Sequence, residues 1–266
     1  MRWEEAAPGL RIWHFDFDGE GVLAGVTARH GGVSTGSYES LNLGYHVGDD
    51  PAAVAENRSR LCSSLEVPQL TVADQQHRDR VAVIDGALAG AGHASVEDSL
   101  GRLPATDAMV TDLPGVALTI MVADCAPVVF YDPRGALGVA HVGRGGAVLD
   151  VVGATVATMK DRFGTDPTDL RVGVGPCINR SRYEIGGSAL EDTRRSFPDP
   201  GLFDETSPGH ACFDLAAAVT RRLEAAGIAS NQIEVARVDT YGSPDFFSDR
   251  AVRPCGRFML VASLRA

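Results

Sequence analysis

Val116-Ala-Leu-Thr-Ile-Met-Val122, Pro127-Val-Val-Phe-Tyr131 and Leu137-Gly-Val-Ala-His141 follow one another with short breaks, and a helical pattern begins only at Gly146. Runs this short and apolar, bounded by Gly, Pro and Asp, read as strands. Asp132-Pro-Arg-Gly135 between the last two supplies the turn of a hairpin. From Gly146 to Phe163, the residues Val148, Val151, Val152, Thr155, Val156 and Met159 recur at helical spacing, and Gly164 gives the stop. Three strands in succession before one helix depart from the strict alternation of a doubly wound nucleotide-binding fold.

Working outward, further strand-like runs lie at Val22 to Ala28, Val81 to Ile84, Ala108 to Thr111, Leu170 to Val174, Ile233 to Val238 and Arg257 to Ala262. A second helix is expected after Asp214 as N-cap, with Leu215, Val219 and Leu223 inward and Gly227 at its end. A third begins near Gly187, while Asp85 to Pro104 and Phe197 to His210 read as loops. No repeat or low-complexity tract interrupts the chain. The expected fold class is α+β, one domain over residues 1–266, with mixed sheet and helices packed outside it.

A chain of 266 residues, 44% hydrophobic, is long enough to bury a full core. Its 24 Lys and Arg against 35 Asp and Glu leave a net charge of -11, which argues against binding nucleic acid through its phosphates. Lys160 is the sole lysine, so a phosphate-binding loop ending in Gly-Lys-Ser/Thr is absent. No apolar run has the length of a membrane span, and the N-terminal stretch lacks the pattern of a secretory signal. The five cysteines Cys62, Cys125, Cys177, Cys212 and Cys255 are odd in number and never in Cys-x-x-Cys spacing. That argues against a disulfide framework or a closed four-cysteine zinc site, and the expected compartment is the cytoplasm. Oligomeric state is not encoded in any of these features.

Three segments end a predicted strand or loop with a metal-ligand residue: Asp74-Gln-Gln-His77, Val122-Ala-Asp-Cys125 and Val139-Ala-His141. Cys125 and His141 stand sixteen residues apart, a separation the hairpin can close. Three protein ligands leave a tetrahedral zinc one open position, the arrangement of a catalytic centre. Spacing alone equally allows Cys125 to be a small buried side chain and each histidine a hydrogen-bonded core or surface group. Asp107 and Asp124 could orient ligand histidines or cap strands and turns. Cys177 and Cys62 read as packed thiols.

The order of further segments narrows this. Ala28-Arg29-His30-Gly31-Gly32-Val33-Ser34, Ser40-Leu-Asn42-Leu-Gly-Tyr45-His46-Val-Gly-Asp-Asp50, Gln75-Gln-His77, Ala123-Asp-Cys125-Ala-Pro-Val128 and Ala140-His-Val-Gly143 resemble the multicopper polyphenol oxidoreductase, or laccase-domain, family. Tyr183-Glu-Ile-Gly186, Phe213-Asp-Leu215 and Phe246-Phe-Ser248 extend the resemblance to the C-terminal part. The resemblance implies sheets stacked face to face between helices, and a zinc-dependent purine nucleoside phosphorylase acting on adenosine, inosine or a methylthio analogue with phosphate. Adenosine deamination is a further activity that it implies. His77, Cys125 and His141 would be the metal ligands and catalytic centre. Arg29 would stand at the mouth, before a Gly31-Gly32 pair that is either a phosphate cradle or a plain turn. Asn42 and His46 would reach the nucleoside or tie a loop.

The chain also departs from that pattern. Where the family runs His-Ala-Gly-Trp-Arg-Gly, this chain has His141-Val-Gly-Arg144-Gly145-Gly146, and Arg144 is expected to contact anion or substrate in place of an aromatic wall. The family's Cys-Thr is Asp239-Thr240, and its Ser-Tyr-Arg-Arg is Ser248-Asp249-Arg250-Ala251, which removes an aromatic and a positive charge. Three rival functions stand beside it: a copper-dependent phenol oxidase, which the family's name implies; a cysteine hydrolase with Cys125 as nucleophile and His141 as base, whose cell-wall precursors are implied by the peptidoglycan-editing name also attached to the family; and a metal-retaining binding protein without catalysis.

Overall fold

The computed structural model describes residues 2–265. Strands Ala126–Asp132 and Ala136–Val142 are buried at every position, which explains their lack of polar alternation. Their pleat still sorts side chains by parity. Val128, Phe130, Ala140 and Val142 enter a core shared with helices, whereas Val129, Tyr131, Leu137 and Val139 enter one shared with another sheet. They sit at the centre of a six-stranded sheet ordered Ile233–Val235, Arg171–Val174, Ala126–Asp132, Ala136–Val142, Ala108–Thr111, Val81–Val83. The two outermost pairs are parallel and the rest antiparallel.

A second six-stranded sheet is ordered Arg2–Ala7, Leu10–His14, Val22–Thr27, Phe258–Leu264, Ala117–Val122, Leu70–Val72. Only its last pair is parallel. Leu118, Ile120 and Leu260 face Met109 and Val139 of the first sheet, so the two sheets stack face to face, as the family resemblance implies. Helices close the stack on both sides. Helix Pro51–Leu65, begun by Asp50 capping the Ala52 N–H and by Pro51 in its first turn, lays Leu61 and Cys62 on Ile12, Met259 and Val261. Helices Val151–Phe163 and Leu215–Ala225 cover the opposite face, joined by Gly187–Ser196 and a small antiparallel sheet of Glu184–Gly186, His210–Phe213 and Phe203–Ser207. The fold is α+β with mixed sheets and six α-helices among the described residues.

All nine sequence-read strands are present, within a few residues of their expected ends. The single helix expected over Gly146 to Phe163 is instead two, Arg144–Leu149 and Val151–Phe163. Asp150 separates them in the left-handed region at φ 65°, and its carboxylate accepts the Gly153 N–H, ending one helix while capping the next. Apolar spacing runs through the break because both helices bury the same core. Asp214 caps its helix through the Ala217 N–H as expected. The stretch expected as a loop before His210 contains Phe203–Ser207, exposed at four of its five positions and therefore without an apolar signal. The other expected loop holds helix Val96–Arg102, capped by Ser95.

Candidate metal centre

The hairpin places Pro127 opposite His141 in register, so Cys125, just before the first strand, stands beside His141 on the second. His77 arrives on the segment that follows Leu70–Val72. Gln75 pins that segment by a two-way clamp: its side-chain amide donates to the Met121 carbonyl at 2.8 Å and accepts the Met121 N–H at 2.9 Å. The donor atoms of His77, Cys125 and His141 lie within 4.8 Å of one another, with Cys125 Sγ 3.6 Å from His77 Nε2. Bonds of about 2.0–2.3 Å put tetrahedral zinc donors roughly 3.3–3.7 Å apart, so the Cys125–His77 pair already has the right separation, a small inward shift completes the set, and one thiolate with two imidazoles suits its chemistry.

Asp107 organises the centre and is fully buried. Its Oδ1 accepts His141 Nδ1–H at 2.8 Å and the His77 N–H at 2.9 Å, and its Oδ2 accepts the N–H groups of Gln76 and Arg78. Three successive N–H groups aimed at one carboxylate stabilise a strained turn, since His77 has φ 58°. Burial works against the Asp107 charge, but the bonds from His141 and the backbone outweigh it and hold the carboxyl below its usual range. With Nδ1 engaged, His141 presents Nε2 to the centre. Burial opposes charge on Cys125 too, yet the neighbouring imidazoles pull its thiol down to about 6. The thiolate and Asp107 in turn raise His141 to about 9 against its burial.

Asp124 has a different task from Asp107. It accepts Thr240 Oγ1–H at 2.6 Å and the Arg250 N–H at 2.7 Å, tying two C-terminal loops to the turn before Cys125. The floor of the centre is glycine. A Cβ at Gly143 would lie 2.8 Å from Cys125 Sγ, and one at Gly145 would lie 2.7 Å from the His77 carbonyl oxygen. A side chain at 145, which the family pattern carries, requires the His77 segment to move.

A cleft of about 540 Å³ opens on the three donors and is lined also by Tyr45, His46, Asp74, Tyr183 and four arginines. His46 is held neutral, down to about 4, by packing and by the charges of Arg257 and Arg58. Arg144 lines a smaller adjoining cavity, its Nη1 3.4 Å from the Ala189 carbonyl. Arg29 lines neither: Nε donates to the Glu39 carbonyl at 2.7 Å, and the guanidinium stacks on Phe247 at 4.4 Å. Asn42, fully buried, donates to the Gly44 carbonyl and Asp49 and accepts the N–H groups of Gly44 and Arg257, so it ties the loop that carries Tyr45 and His46 into the cleft.

Gly31 and Gly32 are demanded by close backbone crossing. Gly31 has φ 86°, and a Cβ on Gly32 would meet the Ser40 carbonyl oxygen at 2.2 Å and Leu41 Cα at 2.5 Å. The Gly32 N–H goes to Ser40 Oγ and that of Val33 to Asn57. Because those contacts are backbone, Gly32→Ala is expected to cost about 3 kcal/mol, at the upper end of overpacking effects. Urea denaturation measures it, and an unchanged midpoint would contradict the crossing.

The cleft contains residues that spacing did not single out: Arg58, Arg253, Arg257 and Tyr183. Arg253, two residues beyond Ala251, lines the cleft but is paired with Asp249, which also meets Arg257 at 3.3 Å. Tyr183 stood in a family-like segment, as did Arg58 in Glu56-Asn57-Arg58, and that was the available signal.

A family model described as multi-copper polyphenol oxidoreductase laccase matches residues 23–265, and the chain belongs to that family. It is 34% identical over 239 residues to a Geobacillus stearothermophilus protein called purine nucleoside phosphorylase YlmD, covering 88% of this chain and 86% of that one. A purine nucleoside phosphorylase of Streptomyces griseus is 38% identical over 234 residues, covering 87% and 89%. The crystal structure of YlmD from Geobacillus stearothermophilus matches with a TM-score of 0.91 at 31% identity over 99% of both chains. A Bacillus licheniformis hypothetical protein, YfiH, matches with the same TM-score, identity and coverage. Among the described residues no helix is long and apolar enough to cross a membrane.

Proposed function

We propose that the chain is a zinc-dependent purine nucleoside phosphorylase, cleaving adenosine, inosine or a methylthio analogue with phosphate. The observation that carries the reading is the His77, Cys125 and His141 cluster at the base of a nucleoside-sized cleft, in a chain whose relatives bear that name. In the reaction a phosphate oxygen bonds to the anomeric carbon, and the bond to the purine nitrogen breaks with its electron pair going to the base. The proton of hydrogen phosphate ends on that nitrogen. When bound, the metal supplies a fixed positive charge that attracts and orients an anion beside the sugar.

This chain's residues do the rest. Neutral His46 can donate or accept a hydrogen bond to an uncharged nucleoside. Tyr183 keeps its hydroxyl proton, because burial raises its pKa, and so offers a donor beside Cys125. Asn42 acts through the loop that carries His46, Arg29 holds the Glu39 carbonyl outside both cavities, and Arg144 acts from the adjoining cavity. The five free thiols suit a reducing cytoplasm.

Metal analysis of the purified protein with a phosphate-dependent assay for free base is the test. About one zinc per chain and base release only with phosphate are expected; inosine from adenosine without phosphate would show deamination. Stoichiometric copper with phenol oxidation would replace the reading, although a four-electron oxidase needs several copper centres and the described residues contain one cluster. A second reading is favoured by the Asp107–His141 bond beside the thiol, the arrangement of a cysteine hydrolase. Activity on cell-wall precursors that survives metal removal and is blocked by a thiol reagent would select it. Nucleoside binding without any turnover would leave a metal-retaining binding protein.

A further inference from the structure

The cavity that holds Arg144 has a volume of about 420 Å³ and meets the large cleft at Gln76, His77, Cys125 and Tyr183. It therefore borders the same Cys125–His77 edge of the metal centre. Its charge is unusual for this protein. In a chain of net charge -11 it is lined by Arg78 and Arg144 and by no carboxylate. The large cleft, by contrast, mixes its arginines with Asp74, Asp124 and Asp249.

The two sets of arginines also differ in what they are free to do. Arg58 spends its guanidinium on the carbonyls of Leu43, Gly92 and His93, and Arg253 and Arg257 are paired with Asp249. Arg250 reaches the Glu184 carbonyl. In the small cavity, Arg144 has one long contact, 3.4 Å to the Ala189 carbonyl, and the Arg78 side chain has no hydrogen-bond or ion-pair partner among the described residues. Two arginines without ion-pair partners, both lining one acid-free space, carry the donor groups that a phosphate-type dianion takes. The glycine at 145 keeps that space open next to His77.

We propose that this small cavity is an anion subsite in which Arg78 and Arg144 hold a phosphate group beside the metal centre, while the nucleoside occupies the large cleft. Naming the anion as inorganic phosphate rests on the phosphorolytic reading above; the same arginines would take the phosphate of a nucleoside monophosphate. Calorimetric titration of the purified protein with inorganic phosphate, and separately with adenosine 5′-monophosphate, tests both sources. Arg144→Gln and Arg78→Gln are each expected to weaken phosphate binding about tenfold, and together by about a hundredfold, with metal content unchanged. Arg144→Lys should recover part of the loss, and Arg250→Gln, in the large cleft, should leave phosphate affinity within about twofold.

A double variant that binds both probes as the parent does overturns the proposal, as does a phosphate loss confined to Arg250→Gln. If only the monophosphate binds, and depends on Arg144, the subsite stands and its anion belongs to the substrate. If phosphate binding depends on the pair but no base is ever released, the subsite stands and the phosphorolytic reading falls. If base release needs phosphate and its KM for phosphate is unchanged in the double variant, the reading stands and the subsite falls.

Discussion

Asp107→Ala is expected to destabilise the protein by about 3–5 kcal/mol and to weaken metal binding about 10–100-fold. The substitution removes a fully buried carboxylate that satisfies His141 Nδ1–H and three backbone N–H groups. Those N–H groups lose their acceptor, and His77 loses the partner that holds it at φ 58°. For a domain of this size the midpoint of thermal unfolding should fall by on the order of 10 °C. Asp107→Asn keeps the shape and two acceptor sites and should fall between parent and alanine in both stability and metal affinity. Calorimetric unfolding with metal titration checks both, and an alanine variant with parental unfolding and metal affinity would remove Asp107 from the organising role.

Cys125→Ala acts on the metal itself. It takes away the thiolate donor of a three-residue set and should leave zinc well below one per chain. Phosphorolysis should fall about a thousandfold, the scale of losing several kcal/mol of charge stabilisation. Metal bound at about a thousand times its Kd contributes about 4 kcal/mol to apparent stability, so the variant should also lose the thermal shift on adding zinc. Retained stoichiometric zinc and an unchanged shift would place the metal elsewhere.

The two halves of the problem differ in how visible they were before folding. The stacked core was readable at Ala108–Thr111, Ala117–Val122 and Ala136–Val142 because both faces are buried and the runs are continuously apolar. Phe203–Ser207 and Arg2–Ala7 were hidden because neither is an apolar run, the first being exposed at four of five positions and the second charged at three of six and fully buried at none, so pairing to a neighbour makes them strands. The break at Asp150 was hidden because a left-handed residue leaves the apolar spacing undisturbed. Cys125 and His141 are joined by a hairpin that turn chemistry predicts, whereas His77 depends on Gln75 and Asp107 at long range. Arg78 carries no motif of its own; it enters the small cavity only because Asp107 bends the segment that carries it.

Phe258–Leu264 lies between Val22–Thr27 and Ala117–Val122 and hydrogen-bonds to both. Neither earlier strand can complete its ladder until that late segment exists. At a synthesis rate of about 5–20 residues per second, the stretch from Val122 to Phe258 takes on the order of ten seconds to emerge. Throughout that interval two apolar strand edges stand open to any other extended chain, including a neighbouring copy on the same message. The nascent chain is therefore most vulnerable to aggregation before Phe258–Leu264 inserts, and ribosome-bound chaperones that shield apolar segments should raise its soluble yield more than chaperones acting after release.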